Sequence, residues 1–134
     1  MTNENSYGFS RTVETSFDET IEKTKAALKE EGFGVLSEID IDEALKEKLG
    51  VDFRRYKILG ACNPPLAYKT LQEEINIGLL LPCNVVVYEA DDAGKTTVAA
   101  VNAEAMLSAV GDNAKLGEVA SEVNERLQRV IKNI

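Results

Sequence analysis

Two Cys-Asn pairs are the residues of this 134-residue chain with the clearest capacity for chemistry. Cys62-Asn63 lies in the segment ILGACNPPLAYK, and Cys83-Asn84 lies in LLLPCNVVV, so each pair has proline close by. The chain has no other cysteine. A thiolate is a nucleophile and a soft-metal ligand, and an asparagine amide both donates and accepts hydrogen bonds. The two pairs are therefore the candidate ligand or thiol site, provided that the fold brings them together.

Composition excludes several familiar kinds of site. The chain contains no histidine, which removes Ser-His and Cys-His dyads and every imidazole metal ligand. Cys62 and Cys83 are too far apart along the chain for zinc-finger spacing. Neither G-x-x-x-x-G-K-[ST] nor G-x-G-x-x-G occurs. We therefore expect no metal site of a familiar type, and no cofactor can be assigned from the sequence.

Charge and hydropathy narrow the class of protein. With 15 basic and 23 acidic residues the net charge is −8, which disfavours nucleic acid and anionic membrane surfaces as partners. No apolar run is long enough to span a membrane, and the N-terminal segment MTNENSYGFS has no apolar core of a signal peptide. We expect one domain over residues 1–134, a cytoplasmic location and free thiols.

The element around Cys62 is predicted to be a strand that runs directly into a helix. Residues 56–62 alternate as a strand, Asn63 occupies an N-cap position, and Pro64 and Pro65 open a helix that ends near residue 74 or 75. A thiolate next to that helix start would gain from the helix dipole and from free backbone N–H groups. Alternatively, Cys62 is a small buried hydrophobe beside a capped turn.

The element after Cys83 decides whether the two thiols meet. CNVVVYEA is predicted to be a central strand. If it pairs antiparallel with strand 56–62, the two cysteines become neighbours and Asn63 and Asn84 face one pocket. Such a pocket could bind a small ligand or a soft metal ion, or carry out thiol redox or sulfur chemistry. A structural role with no ligand stays open.

A second candidate site is the basic segment FRRYK. Arg54, Arg55 and Lys57 stand out on an acidic chain and are candidate contacts for a carboxylate or phosphate. The alternative is a solvated entrance to the strand that follows.

The remaining elements follow from periodicity, caps and glycine stops, and they predict a two-layer α+β fold. Its mostly antiparallel sheet has about five strands, with the helices packed on one face. Before the cysteine segments, the predicted elements are a strand with Tyr7, Phe9 and Val13, a helix over 17–31 capped by Ser16 and Glu19, a strand with Phe33 to Ile41, and a short helix ended by Gly50. After them come a hairpin at 91–95 with Gly94, a strand over 96–101 and a short helix capped by Asn102. The last helix has an apolar stripe from Leu116 to Ile131.

Four segments carry a family resemblance that covers nearly the whole chain. YGFSRTV, ALKEEGFGVLSEIDI, KEKLGVDFRRYKILGACNPPLAY and IGLLLPCNVVVYE resemble the domain-of-unknown-function 302 family. The resemblance implies a small two-layer α+β fold, a bacterial or archaeal source and a homodimer. It implies no established activity and no catalytic residue set.

The leading hypothesis is a homodimeric module, not an enzyme, that binds a small ligand or a soft metal at the Cys62/Cys83 end of the sheet. The alternatives are a thiol-based redox or sulfur-handling protein and a structural or interaction protein. The last helix is predicted to serve as core or as dimer interface.

Overall fold

The computed structural model describes residues 2–134, which form one sheet with helices packed against it. The strands are β1 Thr2–Glu4, β2 Gly8–Val13, β3 Gly34–Asp40, β4 Tyr56–Cys62, β5 Cys83–Glu89 and β6 Thr96–Val101. The helices are α1 Phe17–Glu30, α2 Ile41–Leu49, α3 Pro64–Glu73, α4 Ala103–Leu107 and α5 Ala114–Lys132, with 3₁₀ helices at Ile75–Leu80 and Ser108–Val110.

The sheet has the order β1-β2-β6-β5-β4-β3, and every neighbouring pair is antiparallel. This confirms the α+β class and the antiparallel sheet, but the described residues form six strands where the sequence predicts about five. The additional strand, β1, is a short exposed edge that pairs with β2. Its sequence, TNE, has no apolar alternation, so the pattern that marks a half-buried strand is absent.

The core lies between one face of the sheet and the helices. Alternate residues of the central strands are buried there: Leu59, Ala61, Val85, Val87, Val98 and Ala100. The apolar stripe of α5 is buried against them: Leu116, Val119, Ala120, Val123, Leu127, Val130 and Ile131. The stripe therefore belongs to the core of the chain, and it is not free to form a dimer interface.

The predicted caps are confirmed by hydrogen bonds. Ser16 Oγ accepts from the Glu19 N–H at 3.2 Å, and Asn102 Oδ1 accepts from the Ala105 N–H at 3.1 Å. Gly94 has a φ of 79° in the β5–β6 hairpin, as that connection requires. These signals are local, which is why the sequence reveals them.

The opposite face of the sheet, which we call the open face, is free of charge over four strands. The register directs these residues away from the buried positions: Ser10 and Thr12 of β2, Thr97 and Ala99 of β6, Asn84, Val86 and Tyr88 of β5, and Tyr56, Ile58 and Gly60 of β4. Tyr56 and Tyr88 stack there with ring centroids 5.3 Å apart. Across residues 2–134, no helix combines the length and apolar character needed to cross a membrane.

Candidate functional site

The two cysteines meet at one end of the sheet. β4 and β5 pair antiparallel with Ala61 opposite Cys83, so the end of one strand lies beside the start of the other. The condition on which the meeting of the two cysteines depended is therefore met. β5 begins just after a cis Leu81-Pro82 bond. Cys62 is half-buried and Cys83 is buried. The fold thus creates the neighbourhood on which the ligand hypothesis depends.

Beside the cysteines lies a cavity of about 350 Å³ between this end of the sheet, α3, α4 and α5. Its lining residues are Phe33, Leu36, Ala61, Cys62, Asn63, Leu66, Ala67, Thr70, Leu71, Gly78, Leu81, Pro82, Cys83, Ala103, Met106, Leu107, Val119 and Val123. No charged residue is among them. Leu36 is 71% exposed and Leu71 is 36% exposed, so the cavity opens to solvent at these side chains.

The polar side chains in the cavity wall direct their hydrogen bonds into the protein. Asn63 Oδ1 accepts from the Leu66 N–H at 3.3 Å, and Asn63 Nδ2 donates to the Glu31 carbonyl at 3.4 Å. The Thr70 hydroxyl donates to the Ala67 carbonyl at 2.7 Å. Within residues 2–134, every buried side-chain nitrogen and oxygen has a partner. The wall therefore presents an apolar surface with few directional contacts.

The start of α3 offers no free backbone donor, which corrects the expectation from the sequence. Pro64 and Pro65 occupy the first two helical positions and have no N–H. The Leu66 N–H is bound by the Asn63 side chain, and the Ala67 N–H by the Asn63 carbonyl at 2.9 Å. Free N–H groups that could stabilise a thiolate are absent from this helix start, because the prolines remove two donors and the cap uses the rest.

Cys83 is held as a neutral thiol at physiological pH. Burial, and to a lesser extent the neighbouring Cys62, raises the pKa of Cys83 to about 11. In the register, Cys83 lies opposite Ala61, so Cys62 is offset from it by one position. Adjacent strand positions direct side chains to opposite faces, and this offset disfavours a disulfide between Cys62 and Cys83. No cluster of three or more Cys, Asp or Glu able to hold a metal ion occurs in residues 2–134.

Asn84 does not line the cavity, contrary to the expectation that both asparagines face one pocket. It is exposed and lies opposite Gly60 on the open face. β5 directs Cys83 towards the core face of the sheet and Asn84 towards the open face. At the end of β4 the alternation is less strict, because the consecutive residues Ala61 and Cys62 both line the cavity. Three of the four predicted site residues, Cys62, Asn63 and Cys83, line it.

The three basic residues of FRRYK are each paired with carboxylates. Arg54 contacts Asp91 at 2.8 Å, and Lys57 contacts Glu38 at 3.3 Å and Asp40 at 3.5 Å. These pairs lie at different places, so an anion that bound to this segment would have to compete with several acidic partners. The anion-contact role of Arg54 and Lys57 stays a prediction.

Arg55 makes the most specific of these pairs. Its guanidinium bonds both carboxylate oxygens of Asp18, at 3.0 and 3.3 Å, and lies 4.2 Å from the centre of the Phe17 ring. The hydrogen bond and the charge of Arg55 lower the pKa of Asp18. These contacts join the segment just before β4 to the start of α1. The anion-contact role of Arg55 stays a prediction, as it does for Arg54 and Lys57.

Much of the cavity wall is contributed by residues that the sequence pattern does not assign to any site. Met106 and Leu107 come from α4, and Val119 and Val123 from α5. Apolar residues at helical spacing mark a buried face, but nothing in that spacing tells a packed contact from the wall of a cavity. Only the tertiary arrangement brings these residues to the cysteines.

Comparisons with known proteins give a family and a fold. A family model described as "Domain of unknown function DUF302" matches residues 9–134. The chain is similar to a solved structure, "Crystal structure of uncharacterized conserved protein DUF302 from Bacillus stearothermophilus", with a TM-score of 0.83 and 35% sequence identity. The match covers 94% of this chain and 96% of that one. No curated protein matches the chain.

Proposed function

This chain belongs to the DUF302 family of proteins of unknown function, and we propose that it binds a small apolar molecule in the cavity at the Cys62/Cys83 end of the sheet. The observation that carries the proposal is the cavity itself, which is apolar, open to solvent and lined by both cysteines. The protein's role is then to hold, sequester or deliver that molecule.

The size of the cavity supports a ligand over a packing defect. Protein interiors are packed as densely as organic crystals, and voids larger than a water molecule are few. Ligand pockets are clefts or cavities of about 300 Å³ and larger, lined mostly by apolar side chains. At about 350 Å³ this cavity has room for a ligand and gives water few partners. An apolar occupant gains the contacts that the empty space lacks.

The chemistry of the wall favours this proposal over a soft-metal site. A metal held by both sulfurs must displace the proton of Cys83, whose pKa is about 11. At neutral pH that displacement costs about 5 kcal/mol, since each pKa unit corresponds to about 1.4 kcal/mol. A third protein ligand would offset this cost, but residues 2–134 contain no cluster of Cys, Asp and Glu that could supply one.

A thiol-based function is the second candidate, and it depends on Cys62. This thiol is half-buried, borders the cavity and is therefore the cysteine that a bound molecule or a reagent can reach. The closed start of α3 removes one of the usual means of activating it. We therefore place Cys62 in contact with the ligand and assign it no reaction.

The proposal is tested by titration with N-phenyl-1-naphthylamine, a neutral apolar dye that fluoresces when it leaves water. At roughly 0.3–0.5 kcal/mol per non-hydrogen atom, a molecule with about 17 such atoms gains roughly 5–8 kcal/mol. The expected Kd thus lies between about 1 and 200 μM.

The matched variants are Ala67→Leu, which places a larger side chain in the cavity wall, and Ala26→Leu, the same change on the exposed face of α1. Ala67→Leu is expected to weaken binding about tenfold or more, and Ala26→Leu to leave it unchanged. Absence of dye binding, or equal binding by both variants, would refute the proposal.

We also propose that two copies associate through the open face. This face is uncharged, although 28% of the chain is charged. Two copies that each carry a net charge of −8 repel one another, so a neutral face is the surface on which they can meet at least electrostatic cost. Its centre, with Tyr56, Ile58, Val86 and Tyr88, has the aromatic and aliphatic composition of an interface core.

Light scattering at micromolar concentration tests this assembly. We expect a mass of twice 14.6 kDa for the wild type and for Ala26→Glu, which lies on the exposed face of α1. Val86→Glu places a charge on the open face and should give the monomer mass. A wild-type mass of 14.6 kDa at every concentration would contradict the proposed dimer.

A further inference from the structure

We infer that the cavity selects uncharged ligands and rejects the anionic form of an otherwise similar molecule. This inference rests on the proposed binding function and adds the class of ligand. It follows from the hydrogen bonds that occupy N–H groups at the two helix starts next to the cavity, and from the charges around the cavity mouth.

The first closed helix start is that of α3. Helix N-termini commonly attract anions because their first N–H groups are free and carry partial positive charge. In this helix Pro64 and Pro65 supply no N–H, and the next two N–H groups are bound by Asn63. Asn63 in turn is fixed by its bond to the Glu31 carbonyl at the end of α1. An anion next to this helix would find no donor.

The second helix start is that of α4, whose first residue, Ala103, lines the cavity and has its N–H occupied. The Ala103 N–H donates to Asn124 Oδ1 at 2.6 Å. The Ala105 N–H donates to Asn102 Oδ1 at 3.1 Å, and Asn124 Nδ2 donates to the same oxygen at 2.9 Å. Asn124 is buried in α5, so a side chain of the core takes the donor that a ligand could otherwise use.

The charges next to the cavity are more acidic than basic. The cavity lining contains neither Lys nor Arg. The adjoining groove between α3 and α5 contains two cations, Lys69 and Lys115, against three carboxylates, Glu73, Glu118 and Glu122. Lys115 is paired with Glu73 at 3.4 Å. A carboxylate or sulfonate that entered would lose its hydration without gaining a partner.

The ligand class that fits is therefore an uncharged aliphatic or aromatic molecule, such as a hydrocarbon, an alcohol or an ester. A free fatty acid in its ionised form does not fit, although its chain alone would. The discrimination arises from the absence of donors and cations, and it does not require any group that recognises the ligand directly.

Two dyes with the same ring system test this inference. N-phenyl-1-naphthylamine is neutral, and 8-anilinonaphthalene-1-sulfonate differs from it by one sulfonate. Both are titrated into the wild type and into Ala67→Leu, and only the binding that Ala67→Leu weakens is assigned to the cavity. We expect the anionic dye to bind the cavity about a hundredfold more weakly than the neutral dye, because a buried charge without a partner is strongly disfavoured.

A variant that introduces a positive charge tests whether the lack of a cation causes the selection against anionic ligands. Leu71 lines the cavity and is partly exposed, so Leu71→Lys places a cation at the mouth, and Leu71→Met is its uncharged control. Leu71→Lys is expected to raise the affinity for the anionic dye about tenfold and to leave the neutral dye nearly unchanged.

The outcomes separate the two claims. Cavity binding of both dyes with similar affinity would overturn the inference and leave the proposed function standing. Cavity binding of neither dye would overturn both. An anionic dye that is equally weak in Leu71→Lys and Leu71→Met would overturn the electrostatic cause of the selection.

Discussion

The titration of Cys83 gives a quantitative test of the dry, apolar character of the cavity wall. Its side chain is only 8% exposed, and burial raises its pKa from the ordinary 9.0 to about 11. The perturbation is a rise of pH from 8 to 12, compared between the wild type and Cys83→Ala. The alanine variant has no thiol at this position, so its unfolding free energy lacks the Cys83 contribution.

The sign and magnitude follow from proton linkage. Below pH 9 the thiol keeps its proton in both the folded and the unfolded chain. Between about pH 9 and 11 the unfolded chain releases the proton while the folded chain retains it, so the free energy of unfolding falls as the pH rises. A difference of about two pKa units corresponds to a loss of about 3 kcal/mol, complete only above pH 11.

Urea unfolding at pH 8 to 12 measures this loss. Burial also raises the pKa of Tyr56, so both proteins are expected to lose stability over this range, and the difference between them isolates Cys83. We expect the stability of the wild type relative to Cys83→Ala to fall by about 2–3 kcal/mol between pH 9 and 11. A difference that stays constant from pH 8 to 12 would mean that the Cys83 thiolate is hydrated in the folded chain, which would refute the dry wall.

Two further predictions concern residues that hold the site in place. Gly60→Ala should destabilise the fold by about 1–3 kcal/mol, because the added methyl group would collide with the rigid Pro82 ring, 2.9 Å away, and with the Ser37 hydroxyl. Gly117→Ala in α5 meets nothing and should stabilise by up to about 1 kcal/mol. Asn63→Ala should lower the unfolding free energy by about 1–2 kcal/mol, because the Leu66 N–H loses its cap. Denaturant midpoints measure both effects; equal shifts for the two glycine variants, or no shift for Asn63→Ala, would contradict the contacts described.

The parts of the fold that the sequence predicts are those that depend on neighbouring residues. Ser16, Asn63 and Asn102 cap helices because the side chain of each accepts a hydrogen bond from the N–H three positions ahead. Such a contact lies within a few residues of sequence, so the local pattern reveals it. The antiparallel meeting of Cys62 and Cys83 is also predictable, since two apolar strands with suitable connections bring their ends together.

The parts that the sequence does not predict depend on chain-distant packing or on weak patterns. β1 is polar and exposed, so it lacks the alternation by which strands are recognised. The cavity is formed where residues of α3, α4 and α5 meet the end of the sheet, and periodicity does not reveal such an arrangement. The placement of Asn84 on the open face is different, because strict application of strand alternation to Cys83 and Asn84 predicts it.

The most direct test of the central claim is the change in backbone amide chemical shifts when N-phenyl-1-naphthylamine is added to isotopically labelled protein. If the ligand occupies the cavity, the shifts are expected to concentrate at lining residues such as Cys62, Ala67 and Met106. Shifts that concentrate instead on the open face, at Ile58 and Val86, would contradict the proposed site, as would a spectrum that does not change.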